Sequence, residues 1–323
     1  LRRAECLAAI LHAKKGVVVA GTHGKTTTSA MCAHVLKKGG HPVSHYVGAE
    51  IPVLGANAHW DEESDHLVAE GDESDGTLAL YRPSHAIILN IEEEHLDHYR
   101  DLDEIVEVFS TLLEQTSERV IYCAEDAVAT QLCAPREDAR SYGWADADYT
   151  AGEVSEGRGV IAFTVFRRGE CLGRVELGVP GRHNVLNALA AIAVSLEAGI
   201  RFAEIVPALA GFDGMSRRFQ AVGEAHGVTI IDDYAHHPTE IRATLAAARQ
   251  RFFGRRIWAV WQPHTFTPTI LYMDEFARCF GEADKVLVMD IYRSRESAVP
   301  GVSAADVVAR MDHPGARYIG HRE

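Results

Sequence analysis

A glycine-rich turn near the start of the chain limits the fold more than any other feature of the sequence. The apolar stretch Gly16–Ala20 predicts a buried strand, and the next segment, Gly21-Thr22-His23-Gly24-Lys25-Thr26-Thr27, leads into a helical pattern. Backbone N–H groups at such a helix start are unpaired and attract anions. Lys25 adds a positive charge for a β- or γ-phosphate, and Thr26 offers a hydroxyl to Mg²⁺. The turn therefore predicts a nucleoside triphosphate site.

The spacing in this turn differs from that of the common phosphate loop, because Val19 stands where that motif has its first glycine. A chance Gly-Lys-Thr sequence in a surface turn is the alternative interpretation. The strand before the turn and the helix after it favour the phosphate site.

The length and charge of the chain restrict its class. With 323 residues it exceeds what one hydrophobic core usually holds, which predicts two domains. No local basic cluster offsets the net charge of -14, so we expect neither a nucleic-acid partner nor a membrane partner. The six cysteines are scattered without a C-x-x-C pair, which argues against a disulfide framework or a zinc site and favours a cytoplasmic protein.

Strands and helices alternate along the chain, which predicts an α/β fold with a mostly parallel sheet. Early strands are predicted at 16–20, 66–70, 85–91 and 119–124, a hairpin at 160–177, and helices at 29–38, 103–115 and 185–197. A new series follows the glycine-rich segment Gly211–Gly214, with strands at 228–234, 257–262 and 286–292. We therefore predict a central P-loop-type domain at 1–211 and a smaller, Rossmann-like α/β domain at 212–323.

Polar residues follow the predicted strands at the sheet edge where parallel sheets bind ligands. Glu70 ends one strand and can share Mg²⁺ with Thr26, because Mg²⁺ prefers oxygen ligands and retains several waters. A solvated acidic loop at 70–75 is the alternative. His95 follows the strand at 85–91 and is a candidate for a second metal ligand or a γ-phosphate contact, unless it is an ordinary packed or exposed histidine.

Other candidate binding residues cluster at a helix start and at the predicted join between the domains. His183, Asn184 and Asn187 lie on one turn at the helix start, where side-chain amides suit the edge of an adenine, although asparagine is also an ordinary cap. Arg217 and Arg218 at the join can clamp phosphates when domains close, unless they are ordinary surface arginines.

The second domain concentrates acids and histidines directly after two of its strands. Asp233, Tyr234 and His236 precede a helix that begins at Pro238, and His264 follows the next strand. Such a density of polar groups after apolar strands favours a binding site over an ordinary loop, although His264 can also be structural.

Seven segments occur in an order that resembles the Mur ligases of peptidoglycan synthesis. They extend over essentially the whole chain and are Ala20–Thr27, Glu70–Asp75, Asn90–His95, Gly181–Asn187, Arg217–Phe219, Asp232–Glu240 and Gln262–His264. The resemblance implies a ligase that uses ATP to phosphorylate the lactyl carboxylate of UDP-N-acetylmuramate, after which the amine of L-alanine attacks the acyl phosphate. Branches that add later residues usually carry a carbamylated lysine, and no lysine lies between Lys38 and Lys285. The alanine-adding branch, which does without it, fits.

The resemblance also implies a role for each candidate residue. The residues implied to bind the nucleotide are Gly21, Thr22, His23, Gly24, Lys25, Thr26 and Thr27, with His183, Asn184 and Asn187 on the adenine side and Arg218 and Asp233 from the last domain. The implied metal-site residues are Thr26, Glu70 and His95. Tyr234, His236 and His264 correspond to the region that receives the amino acid, and we expect Lys25, His95 and His236 to be catalytic.

Three departures from the family pattern lead to further expectations. Members begin with a domain that holds the UDP group and extend past position 323, so we expect the chain to lack both segments and to bind nucleotide better than it catalyses. Pro268 stands where the family has an arginine, expected near the carboxylate of the amino acid. The alternatives are a recycling ligase that attaches a tripeptide to UDP-N-acetylmuramate, an ATP-binding pseudoenzyme, and a simple P-loop NTPase.

Overall fold

The computed structural model describes residues 3–95, 98–157, 160–294 and 296–320, and the chain divides into two compact units, Leu1–Gln220 and Ala221–Glu323. The helices are α1 Arg3–Leu11, α2 Lys25–Lys38, α3 Leu102–Glu114, α4 Ala127–Cys133, α5 Arg182–Glu197, α6 Phe202–Ala210, α7 Pro238–Arg251, α8 Phe266–Leu271, α9 Met273–Arg278 and α10 Ala304–Arg310. The strands are β1 Lys15–Ala20, β2 Val43–Tyr46, β3 Ala58–His59, β4 His66–Glu70, β5 His85–Ile88, β6 Arg119–Cys123, β7 Ala139–Gly143, β8 Tyr149–Gly157, β9 Val160–Arg167, β10 Glu170–Leu177, β11 Gln220–Ala225, β12 Val228–Asp232, β13 Trp258–Trp261, β14 Lys285–Val288 and β15 Ala316–Tyr318.

One large sheet organises the first unit. In the described part of the chain it has ten strands, in the order β10-β9-β8-β7-β6-β5-β1-β4-β2-β3. The strands from β8 to β2 in this order are parallel, whereas β9, β10 and β3 pair antiparallel at the two ends. The α/β fold with a mostly parallel sheet, predicted from the sequence, is confirmed.

Strand β1 is buried on both of its faces. Val17 and Val19 point into a core formed with α2 and α5, whereas Val18 and Ala20 point into a second core formed with α1 and α3. A strand covered by helices on both sides needs apolar residues at every position, which explains the unbroken apolar run in the sequence.

The neighbours of β1 determine which loops meet at the carboxyl edge of the sheet. β1 lies between β4 and β5, with Val19 opposite Glu70 and Ala20 opposite Ile88. The three strands therefore end at the same level, and the segments that follow them begin side by side.

The structure differs from the sequence-based expectation in several elements of the first unit. Helix α5 begins at Arg182 rather than at 185, and β5 ends at Ile88 rather than at 91. The prediction had no separate elements for α4, α6, β7 or β8. Tertiary contacts complete these elements, since β7 and β8 pair within the large sheet, α4 packs on β6, and α6 packs on β10 and α2.

The predicted division into domains at 1–211 and 212–323 stays a prediction. In the structure, Phe212 is fully buried and Met215 nearly so, and both pack in the core that contains α2 and α5. The glycine-rich segment Gly211–Gly214 is therefore part of the first compact unit.

The second unit contains a parallel sheet, β13-β14-β15, and a two-stranded sheet, β11-β12. Its core lies between β13, β14 and the helices α7, α9 and α10, with Trp261 and Phe276 in ring contact at 4.8 Å between centroids. Among the described residues of the whole chain, no helix combines the length and the apolar character that crossing a bilayer requires.

The burial of Phe212 leads to a stability prediction. We expect Phe212→Ala to lower the free energy of unfolding of the first unit by about 3–5 kcal/mol, because it empties a fully buried site. Phe253→Ala is the matched control, since that side chain is 91% exposed. Urea unfolding of both variants measures the difference, and equal losses would contradict the placement of Phe212 in the core.

Candidate active site

The glycine-rich turn forms a loop that is held from the neighbouring strand end. Gly24 caps α2 at φ 88, and a Cβ atom there would lie 2.9 Å from Asn187 Oδ1, so only glycine fits. Asn90, just after β5, accepts from the backbone N–H of His23 at 2.7 Å and donates to its carbonyl at 3.1 Å. The N–H of Thr22 donates to the carbonyl of Asn90 at 3.0 Å. The loop is therefore fixed at the start of α2, whose first residues include Thr26 and Thr27.

The side chain of Lys25 folds back over this loop. Its ammonium group donates to the carbonyls of Gly21 at 2.6 Å and Thr22 at 3.1 Å, and to Glu73 Oε1 at 2.9 Å. Burial lowers the pKa of Lys25, but attraction to Glu73 outweighs this effect and the pKa is raised above its ordinary value. The lysine is therefore a fixed positive charge beside the loop.

Thr26 and Glu70, which the sequence predicts as oxygen ligands of Mg²⁺, lie side by side. Thr26 Oγ1 donates to Glu70 Oε1 at 2.9 Å, and Glu70 Oε2 accepts from the N–H of Gly48 at 2.7 Å. A Cβ atom at Gly48 would lie 2.9 Å from Glu70 Oε2, so this close approach requires glycine. A hydroxyl and a carboxylate beside a phosphate loop suit Mg²⁺, which prefers oxygen ligands.

His95 lies against two carboxylates other than Glu70. Its Nε2 is 3.6 Å from Glu73 Oε1 and 3.7 Å from Glu94 Oε2. The ligand atoms of these three residues lie within 4.8 Å of one another. Burial lowers the pKa of His95, but the attraction to the carboxylates of Glu73 and Glu94 outweighs it, so the pKa is raised. The backbone of His95 adopts φ 57, a conformation that is costly for a residue with a Cβ and is frequent at functional sites.

The sequence predicts Thr26, Glu70 and His95 as one set of metal ligands, and this stays a prediction. The structure brings Thr26 together with Glu70, and it brings His95 to Glu73. Lys25 connects the two pairs, since it follows the loop on α2 and contacts Glu73.

Sequence reasoning missed two residues that organise this site, Glu73 and Asn90. Both lie in segments that follow strands of the sheet and were predicted to contain binding residues. Glutamate and asparagine are themselves common in solvated loops. Glu73 is 2% exposed in an acidic segment that one would expect to be solvated, and only its burial distinguishes it from Asp72 and Asp75.

The residues predicted for the adenine lie on the first turns of α5. Asn184 donates to the carbonyl of Pro180 at 2.7 Å and accepts from Asn187 Nδ2 at 3.1 Å, whereas His183 is exposed. The side chain of Asn187 also lies close to the phosphate loop at Gly24. Arg218, whose N–H donates to the carbonyl of Met215, lies near the end of the first unit. The roles of these residues stay predictions.

In the second unit the predicted residues gather where β12 and β13 end. Asp233 Oδ1 accepts from the N–H of Ala235 at 2.8 Å and from Thr244 Oγ1 at 3.1 Å. The ring of His236 lies 5.2 Å from that of Tyr234 and 6.1 Å from that of His264. Three residues predicted to receive the amino acid, Tyr234, His236 and His264, are therefore neighbours. Pro268 lies in the first turn of α8, where a proline costs no helical hydrogen bond.

The contact between Gly48 and Glu70 leads to a prediction about the expected Mg²⁺ site. We expect Gly48→Ala to raise the Mg²⁺ concentration needed for nucleotide binding about tenfold, because the new methyl group displaces the carboxylate from Thr26. Gly223→Ala is the control, since a Cβ atom there meets nothing within 4 Å. Calorimetric nucleotide titration at several Mg²⁺ concentrations compares the two, and equal Mg²⁺ dependence would contradict the prediction.

The pair His236–His264 leads to a prediction about titration. Burial lowers the pKa of His264 below 6.5, and the nearby His236 lowers it further. We therefore expect His236→Asn to raise the pKa of His264, since the repulsion between two protonated rings is lost. Histidine ring signals in NMR spectra measure this shift. His226→Asn is the control in the same unit, and a wild-type pKa above 6.5 for His264 would contradict the analysis.

Comparison with known proteins identifies two matching family models and several close relatives. The Mur ligase middle domain matches residues 19–195, and the model described as Mur ligase, glutamate ligase domain matches residues 217–323. The UDP-N-acetylmuramate--L-alanine ligase of Solibacter usitatus is 45% identical over 325 residues, which cover 98% of this chain and 69% of that protein.

Solved structures of two related enzymes align along nearly the whole chain. The UDP-N-acetylmuramate-alanine ligase from Thermotoga maritima matches with a TM-score of 0.83 and 30% identity, covering 99% of this chain and 70% of that one. A murein peptide ligase from Psychrobacter arcticus 273-4 matches with a TM-score of 0.68 and 25% identity, covering 98% and 72%. Of these two, the alanine ligase is more similar in both backbone and sequence.

Proposed function

Because the chain belongs to the Mur ligase family, whose members are ATP-dependent, ADP-forming ligases, we propose that it joins L-alanine to UDP-N-acetylmuramate in peptidoglycan synthesis. The observation that supports this proposal most directly is the convergence of Lys25, Thr26 and Glu70 on one phosphate loop. Two relatives that are 45% and 44% identical to the chain carry the name of the alanine-adding enzyme, and they support the choice of branch.

The chemistry requires that a poor electrophile be activated. The lactyl carboxylate attacks the γ-phosphorus of ATP, the bond from that phosphorus to the bridging oxygen breaks, and ADP leaves. The uncharged amine of alanine then attacks the acyl carbon, the tetrahedral intermediate loses a proton, and phosphate leaves as the amide forms. Phosphoryl transfer and the departure of phosphate place negative charge on phosphate oxygens, and the attack of the amine places it on the acyl oxygen. A fixed positive charge nearby stabilises these charges.

The residues of the first unit supply that stabilisation in our proposal. The N–H groups at the start of α2 bind the triphosphate, and Lys25 contacts the β- or γ-phosphate. Thr26 and Glu70 would hold Mg²⁺, which when bound offsets the charge of the phosphate oxygens. His95 lies close to these residues, because its ring contacts the Glu73 carboxylate that also binds Lys25.

The residues of the second unit carry the proposed recognition of the amino acid. Tyr234, His236 and His264 form a polar, aromatic cluster at the strand ends, where we place the amino acid. The similarity to the murein peptide ligase from Psychrobacter arcticus makes a murein peptide the alternative substrate to alanine.

The test is ADP release by the protein expressed from its complete gene. We expect release only when UDP-N-acetylmuramate and L-alanine are both present, with a tripeptide giving a lower kcat/KM. Lys25→Ala should reduce the rate by roughly 10³-fold or more, because the charge beside the phosphates is lost. Near-normal turnover by that variant would refute its role. Release without either substrate would indicate a simple NTPase, and binding of ATP without release would indicate a pseudoenzyme.

A further inference from the structure

We propose that Glu73 is a positioning residue of the phosphoryl-transfer centre, which holds the ammonium group of Lys25 and the ring of His95 with one carboxylate oxygen. This inference rests on the proposed function, because it concerns how Lys25 meets the phosphates. By its sequence alone, Glu73 looks like one more solvated acidic residue of its loop.

The burial of the Glu73 carboxylate is the first observation. The side chain is 3% exposed, and Oε2 is buried with no hydrogen-bond partner among the described residues. Burying a carboxylate is costly unless a charge compensates it, and here the compensation comes from Lys25 at 2.9 Å. An ordinary solvated loop would not require a buried carboxylate at this position.

The second observation is that hydrogen bonds from Tyr99 and Gly76 hold the backbone of Glu73, and that Tyr99 also bonds to the backbone of His95. The hydroxyl of Tyr99 donates to the Glu73 carbonyl, and the N–H of Tyr99 donates to the carbonyl of His95 at 3.0 Å. The N–H of Gly76 also donates to the Glu73 carbonyl at 3.1 Å. The position of the carboxylate relative to His95 is therefore fixed by the backbone as well as by the side chain.

The third observation is the way the ammonium group of Lys25 uses its donors. An ammonium group has three N–H bonds, and here they go to the carbonyls of Gly21 and Thr22 and to Glu73. Phosphate oxygens that approach the loop must replace some of these acceptors. The bond to a carboxylate is stronger than a bond to a neutral carbonyl, so the carbonyls are displaced first and Glu73 remains as the anchor.

The anchor has a functional consequence. Lysine carries its charge on a flexible four-carbon chain. An ammonium group that samples many positions stabilises the negative charge of the transition state less well than one held in place. A carboxylate that stays bonded to Lys25 restricts this freedom and keeps the ammonium group directed at the transferred phosphate. It also adds a negative charge near the triphosphate, so its benefit should appear in the rate and not in nucleotide affinity.

The experiment compares Glu73→Gln with Asp72→Asn in the protein expressed from its complete gene. Both variants remove one negative charge from the same loop, but Asp72 is exposed and accepts from the N–H of Ser74. For Glu73→Gln we expect kcat to fall about tenfold or more while the Kd for ATP with Mg²⁺ stays within about threefold or tightens. For Asp72→Asn we expect wild-type values. A kcat equal to that of Asp72→Asn would overturn the proposal, as would a loss of nucleotide affinity that accounts for the loss of rate.

A second measurement reports on Lys25 without any turnover. Ammonium protons exchange slowly enough for ¹⁵N NMR detection when strong acceptors hold them, so we expect a Lys25 signal in the wild type that is lost in Glu73→Gln and kept in Asp72→Asn. The wild-type signal should persist when ATP and Mg²⁺ are added. Its persistence in Glu73→Gln would refute the anchor. If the wild type binds ATP but never releases ADP, the proposed function fails, and this signal still decides whether Glu73 holds the lysine.

Discussion

The site depends on one requirement, which is that the ammonium group of Lys25 stay charged although it is mostly buried. Lysine loses its charge when it is buried alone, and here the carboxylate of Glu73 outweighs that tendency. The two remaining N–H bonds go to carbonyls of the loop itself, so the turn and its lysine stabilise one another. The carboxylate in turn needs the lysine, because its own burial would otherwise be too costly. Phosphate loop and acidic segment therefore form one electrostatic unit.

Sheet topology brings the parts of this unit together. Strand β1 precedes the loop, β4 ends at Glu70, and β5 ends just before Asn90. These strands are neighbours in the sheet although other segments separate them in the chain, so each supplies one group to the same edge. Helices cover both faces of β1, which leaves that edge as the open position for a ligand. The glycines at 24 and 48 then allow side chains and backbone to approach more closely than a Cβ would permit.

Much of the architecture could be predicted because its signals are local. The apolar run of β1 and the hairpin at 160–177 depend on residues close together in the chain, and the structure contains both, as β1 and as β9–β10 with a turn at Arg168–Gly169. Elements such as α6 were missed because their conformation depends on packing against the large sheet. The candidate site was predicted in part for the same reason. Thr26 and Glu70 have recognisable positions after strands, whereas Glu73 looks like any acid in a polar loop.

By itself, the sequence determined the phosphate loop, the α/β class, the order of the segments that mark the family and the residue types available for chemistry. These properties depend on spacing along the chain, and spacing is visible without coordinates. Only the tertiary structure decided that Glu73 is buried, that its carboxylate serves both Lys25 and His95, and that Asn90 holds the loop. Such partnerships join residues far apart in the chain, and they arise from burial and strand order, which no local pattern records.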